Sequence, residues 1–243
     1  MKIALSTLLA AFFWCAPRAL AQSSQEPGPR MTASGNEIEP YWLKKHEELT
    51  ATARRGGARV VFLGDSITEY WRDNEIWRRR YAPLPSANFG VAGDTTQNVL
   101  WRLAQGELTG EDPQVVVLLI GTNNLGRGDT PEEAAYGAAA VLRATRAHFP
   151  EARILLLGIF PRGESARDPY RERVRRANAL LSRFADGRMV RYLDIGRVFL
   201  EPDGSLSASV MPDFLHPSLE GYRRWADAMD PLLRRMLGAA ASR

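Results

Sequence analysis

From Arg59 onward, short apolar runs alternate with helical patterns, and this alternation limits the fold more than any other feature of the chain. Five runs read as strands: ARVVFLG, SANFGV, QVVVLLIG, ARILLLGIF and RMVRYLDI. Helical spacing covers about 94–105, 131–149, 168–185 and 218–237. The third and fourth runs are nearly unbroken aliphatics, as expected of strands covered on both faces in a parallel sheet. The alternation predicts an α/β fold, an open doubly wound sheet with right-handed crossovers. Local signals agree. Thr130-Pro131-Glu132-Glu133 supplies a cap, a proline at the first helical position and acids in the first turn. Leu219, Tyr222, Trp225, Met229, Leu232 and Met236 form a stripe at spacings of three and four. A further helix is expected at about 40–55, with Trp42, Leu43, His46 and Leu49 on one side. The 243 residues suffice for one sizeable core.

The N-terminus reads differently. MKIALSTLLAAFFWCAPRALA carries Lys2, an apolar stretch and Ala19-Leu20-Ala21, the three parts of a cleavable secretory signal. Residues 1–21 are therefore expected to be removed after Ala21 and the protein to be secreted or periplasmic. Cleavage takes away Lys2 and Arg18 and no acid, so the formal charge falls from +4 to +2. It also takes away Cys15, the one cysteine, which excludes a catalytic cysteine or a cysteine metal site in the remainder. Residues 22–38, rich in Gly, Pro and Ser, read as a flexible leader. A single domain is expected over 39–238, with a tail at 239–243. The basic runs Arg78-Arg79-Arg80 and 171–176 have no nucleic-acid motif beside them and read as solvated helix faces. No nucleic-acid partner and no stable membrane insertion are expected.

Ligands of open parallel sheets bind beyond the carboxyl ends of the strands. Polar residues cluster there: Gly64-Asp65-Ser66, Gly90-Val91-Ala92-Gly93-Asp94 and Gly121-Thr122-Asn123-Asn124. A fourth cluster, Asp213-Phe214-Leu215-His216, precedes the last helix. Together they meet the needs of serine acyl transfer. Ser66 needs a base, and histidine can take a proton near neutral pH. His216 needs an acid to fix its tautomer, and Asp213 lies three residues upstream. The Ser66 and Gly93 N–H groups and the Asn123 amide are suitable oxyanion donors. Each residue alone could equally be a cap, a turn or a satisfied core group. What favours the chemistry is that they occur together. Of three histidines only His216 stands in a loop with an acid close by. The sequence has no Gly-x-Ser-x-Gly elbow, no His-Glu-x-x-His and no Walker A motif.

The blocks VVFLGDSIT (60–68), NEIW (74–77), NFGVAGDTTQNVLWRL (88–103), GTNN (121–124), LGIFPRGE (157–164) and DFLHPSLEGY (213–222) resemble the SGNH (GDSL-type) hydrolases. Within that superfamily they are most similar to the catalytic subunits of intracellular platelet-activating-factor acetylhydrolases and their bacterial relatives. The resemblance spans about 59–236. It implies a flavodoxin-like three-layer α/β/α sandwich with a mainly parallel five-stranded sheet. It implies Ser66 as nucleophile, Asp213 and His216 as acid and base, and Ser66, Gly93 and Asn123 as the oxyanion hole. Asn124 replaces the acid that commonly ends the third block, a departure shared by the acetylhydrolase-like branch. Asp65 and Asp94 match motif positions and read as loop-organising carboxylates.

The function expected is a secreted serine carboxylic-ester hydrolase that removes short acyl groups, acetyl above all, through an acyl-enzyme and without metal or organic cofactor. The resemblance also implies a possible homodimer. The residues leave the alcohol half open between a carbohydrate and a lipid acetyl ester. They also leave open two other readings: a lysophospholipase or thioesterase acting on longer chains, and a non-catalytic binding protein with the same fold. Trp71, Trp77, Trp101, Phe160, Phe214 and Leu215 either narrow an acyl pocket or belong to the core.

Overall fold

A computed structural model describes residues 23–238. The signal segment with its cleavage site, Gln22 and the 239–243 tail lie outside the described residues. Helix α1 (Pro40–Ala53) precedes β1 (Val60–Gly64), α2 (Ser66–Glu69), α3 (Glu75–Arg80), β2 (Ser86–Gly90) and α4 (Thr96–Ala104). Then come β3 (Val115–Leu119), α5 (Thr122–Arg127), α6 (Pro131–His148), β4 (Arg153–Leu157), α7 (Pro169–Leu181), β5 (Val190–Leu193) and α8 (Leu219–Gly238). The five strands pair in the order β2-β1-β3-β4-β5, all parallel. This is the order of a flavodoxin-like doubly wound sheet, whose switch point lies between β1 and β3.

The strand side chains alternate between two apolar layers. Val61 and Leu63 of β1, Val116 and Leu118 of β3, and Ile154 and Leu156 of β4 pack with α1, α4, α6 and α7. Val60 and Phe62, Val115, Val117 and Leu119, and Leu155 and Leu157 pack with α2, α3 and α8. Both faces are thus buried, which is why β1, β3 and β4 show no polar alternation. The α8 stripe buries Tyr222, Trp225, Met229 and Met236 as expected, but Leu219 is half exposed at the first turn. Helix α6 closes its N-terminus with a capping box. Thr130 Oγ1 accepts from Glu133 N (3.1 Å), and Thr130 N donates to Glu133 Oε2 (2.7 Å).

One expectation changes. Residues 24–30, part of the 22–38 stretch read as a flexible leader, are laid against the domain. Ser24 Oγ donates to Asp129 Oδ2 (2.6 Å), and Gly28 exchanges bonds with Gln97 O and Asn98 Nδ2 (3.0 Å each). Arg30 reaches Asp94 Oδ1 (2.9 Å). The Gly, Pro and Ser content reflects an irregular path whose first part is paired with the domain and whose second part turns back on itself, with Thr32 N on Glu37 O and Gly35 N on Thr32 O (2.9 Å each). His46, expected on one side of the 40–55 helix with Trp42 and Leu49, is buried on α1 with Nδ1 2.8 Å from Glu107 Oε2.

Candidate active site

The sheet register assembles the site. Gly64 at the end of β1 pairs with Gly90 of β2 on one side and Leu119 of β3 on the other, so all three strands end at one level. The segments that follow them, which carry Ser66 at the start of α2, Gly93 in a loop and Asn123 in the first turn of α5, therefore start side by side. Helix α2 begins at once after β1. Asp65 caps it, with Oδ1 accepting from Ile67 N (3.0 Å). Gly90 lets this turn fold back over the sheet: a Cβ there would collide with Glu69 N and crowd Asp65 O.

Ser66 is almost fully buried, and its Oγ lies 2.8 Å from His216 Nε2. His216 Nδ1 lies 2.6 Å from Asp213 Oδ2. A carboxylate accepts only, so the ring donates from Nδ1 and turns the Nε2 lone pair to the serine hydroxyl. The loop is shaped for this. Phe214 adopts φ 57°, the left-handed region, and turns the backbone back so that Leu215 N (3.1 Å) and His216 N (2.7 Å) both donate to Asp213 Oδ1. Partial burial would raise the Asp213 carboxyl, but the hydrogen bonds from the His216 ring and backbone outweigh it and hold the group below the ordinary carboxylate range. The loop is anchored by Gly163 N donating to Phe214 O (2.9 Å).

Asn123 Nδ2 donates one N–H to Asp94 O (2.8 Å), which leaves the second N–H of the amide for another acceptor. Gly93 has φ 77°, a conformation favouring glycine, and a Cβ there would stand 3.2 Å from Arg30 Nη2. The Asp94 carboxylate is fully buried and takes three donors: Trp42 Nε1 (2.7 Å), Arg30 Nη2 (2.9 Å) and Arg102 Nε (2.8 Å). Arg102 continues to Glu107, and Glu107 to His46. The second carboxylate, Asp65, has no such compensation. Its Oδ2 is buried without a partner, and burial, with Asp94 nearby, pushes its pKa up to about 7.

All the residues nominated from the sequence, Ser66, Gly93, Asn123, Asp213 and His216, thus gather at the carboxyl edge of the sheet. The large apolar residues divide. Trp71, Trp77 and Phe160 are buried in the layer between the sheet and α8, so they are core. Phe214 and Leu215 are half-buried at its edge, and Trp101 packs on the other layer beside His46 (5.2 Å between ring centroids). Sequence reasoning missed several neighbours. Tyr70, 5.3 Å from the His216 ring and half exposed, lies four residues after Ser66, one turn along the same face. Arg30 and the Glu69–Lys45 ion pair (3.0 Å) had no local signal, because their partners are remote in sequence. Among the described residues, no group of three or more His, Cys, Asp or Glu is placed to hold a metal ion, and no helix is long and apolar enough to cross a membrane.

A buried serine hydrogen-bonded to a histidine that a carboxylate orients can act as a nucleophile toward an ester carbonyl. Comparison with known proteins points to ester hydrolysis. Residues 62–224 match the GDSL-like Lipase/Acylhydrolase family. The chain belongs to this family. It is a carboxylic ester hydrolase. It is 39% identical over 197 residues to the bovine platelet-activating factor acetylhydrolase IB subunit alpha1, covering 81% of this chain and 84% of that protein. The rat alpha2 subunit is 36% identical over 200 residues, covering 81% and 85%. Two solved structures share the fold. A GDSL-like lipase from Bacteroides thetaiotaomicron has a TM-score of 0.63 at 18% identity, covering 78% of this chain and 97% of that one. An acetylxylan esterase from Geobacillus stearothermophilus has a TM-score of 0.56 at 20% identity, covering 75% and 95%.

Proposed function

We propose that this GDSL-family hydrolase removes short acyl groups, acetyl above all, from carbohydrate or lipid esters by a serine acyl-enzyme route. The observation that carries the mechanism is the continuous chain Ser66 Oγ–His216 Nε2 (2.8 Å) and His216 Nδ1–Asp213 Oδ2 (2.6 Å). Ser66 Oγ attacks the ester carbonyl carbon while its proton passes to His216 Nε2. Asp213 stabilises the imidazolium without taking the proton. The Ser66 and Gly93 N–H groups and the Asn123 side chain receive the oxyanion. Collapse breaks the bond to the alcohol, which leaves with the proton from His216. Water then attacks the acyl-Ser66 ester with His216 as base, and Ser66 regains its proton as the acid departs.

The acetyl preference is supported by the acetylhydrolase names of the relatives above 35% identity. Export is a further part of the proposal, supported by Lys2, the apolar stretch after it and Ala19-Leu20-Ala21. The deciding experiment is hydrolysis of p-nitrophenyl acetate, butyrate and octanoate by the 22–243 protein, with Ser66→Ala beside it. We expect acetate to be turned over fastest and the variant to be inactive. A preference for octanoate would defeat the short-acyl reading. Turnover unchanged in the variant would defeat Ser66 as nucleophile. Mass spectrometry of exported protein tests the processing: a mature N-terminus at Gln22 is expected, and retention of residues 1–21 would refute it.

A further inference from the structure

We propose that Arg30 is a positioning residue for the oxyanion hole, so that the irregular segment before α1 is a working part of the active site. The inference rests on the assignment of Gly93 and Asn123 as oxyanion donors, and it follows from peptide geometry. The Gly93 N–H and the Ala92 C=O belong to one peptide unit. That unit is planar and trans, so the two groups point in opposite directions. Whatever holds Ala92 O therefore aims the Gly93 N–H. Arg30 Nη2 holds it at 2.6 Å, a charge-assisted hydrogen bond. A guanidinium at the carbonyl end also polarises the unit and strengthens the N–H as a donor.

The surrounding bonds fix the rest of the loop and leave this task to Arg30. Ala92 N donates to Glu69 Oε2 (2.6 Å), Gly93 O accepts from Arg127 Nη2 (3.3 Å), and Asp94 O accepts from Asn123 Nδ2 (2.8 Å). Those bonds act on the neighbouring peptide units. Among the described residues, the one side chain hydrogen-bonded to the 92–93 unit is Arg30. Arg30 is itself held by Asp94 Oδ1 (2.9 Å), and its guanidinium lies 5.9 Å from the centre of the Trp42 ring. Its backbone is fixed from both sides, by Gly28 N on Gln97 O (3.0 Å) and by Glu39 N on Arg30 O (2.8 Å). The same guanidinium stands where a side chain at 93 would go, which ties the glycine to the arginine.

The test compares Arg30→Ala, Arg30→Lys, Ser24→Ala and Asn123→Ala in p-nitrophenyl acetate hydrolysis, with thermal melting of each. A misdirected donor is felt in the transition state more than in substrate binding, so Arg30→Ala should lower kcat about 10–100-fold with KM within about threefold. Arg30→Lys, which keeps the charge but lacks the planar fork, should fall between Arg30→Ala and the wild type. Ser24→Ala loosens the same segment without touching the 92–93 peptide and should keep kcat within about twofold. Wild-type kcat in Arg30→Ala overturns the proposal, as does an equal loss in Ser24→Ala. If Arg30→Ala does not fold, Arg30→Lys decides: a kcat loss of about threefold or more at unchanged KM supports the proposal, and wild-type kcat refutes it. An impaired Asn123→Ala beside an unimpaired Arg30→Ala rejects Arg30 alone. An unimpaired Asn123→Ala rejects the oxyanion assignment and the proposal with it.

Discussion

Asp65 should make this protein less stable as pH rises from about 4 to about 7. Its carboxyl is buried beside Ser66, Oδ1 caps α2 and Oδ2 has no partner. Burial raises its folded-state pKa from 3.8 to about 7, with a smaller upward push from Asp94 against the lowering by Ile67 N and Arg162. The sign follows from proton counting. Between pH 3.8 and about 7 the unfolded chain has lost the Asp65 proton and the folded protein still holds it. Raising the pH across that window therefore favours unfolding, and the effect levels off above about 7. About three pKa units at 1.36 kcal/mol each amount to about 4 kcal/mol. Asp65→Asn keeps an oxygen for the Ile67 cap and removes the titration. Urea denaturation of both proteins from pH 4 to pH 8 isolates the term, because other titrating groups cancel in the difference. The variant should gain on the wild type as pH rises, by up to about 4 kcal/mol. A difference that stays flat across the range refutes the argument.

Other outcomes follow from the site and its support. Ser66→Ala and His216→Ala should each lower kcat by several orders of magnitude, and the double variant by little more, as single-turnover assays would show; additive losses would mean that the two do not act as a unit. Asn123→Ala should lower kcat about 10²–10³-fold at similar KM, measured on p-nitrophenyl acetate. Trp71→Ala, in a fully buried cluster with Phe62, Trp77, Tyr81, Tyr222 and Trp225, should destabilise the fold by about 3–5 kcal/mol in urea titration.

The sequence by itself determined the strands, the layers and the chemical groups. Runs of six to nine residues, nearly unbroken aliphatics in the third and fourth, are expected of strands covered on both faces, and the helix-periodic segments between them supply the cover. The polar residues at the ends of those runs had to meet at one edge once the sheet was parallel, so Ser66, Gly93 and Asn123 were legible before any coordinates. His216 and Asp213 were legible as a pair because they are three residues apart and a single turn brings them together. What the tertiary structure alone decided involves partners far apart in the chain. Nothing near Arg30 marks it as anything but a loop arginine; its acceptor lies 62 residues on, at Ala92. His46 and Glu107 are 61 residues apart and meet only because α1 packs against α4, with His46 beside Trp101, and Glu107 lies just past the end of that helix. The same holds for Trp71 and Phe160, which could have lined a pocket or filled the core until α8 was laid over them. Composition says a segment rich in Gly, Pro and Ser has no regular structure, but it does not say whether its backbone groups bond to water or to the domain. For residues 24–30 they bond to the domain, at the loop after β2, the start of α4 and Asp129 past α5, whereas 31–38 turn back and bond among themselves.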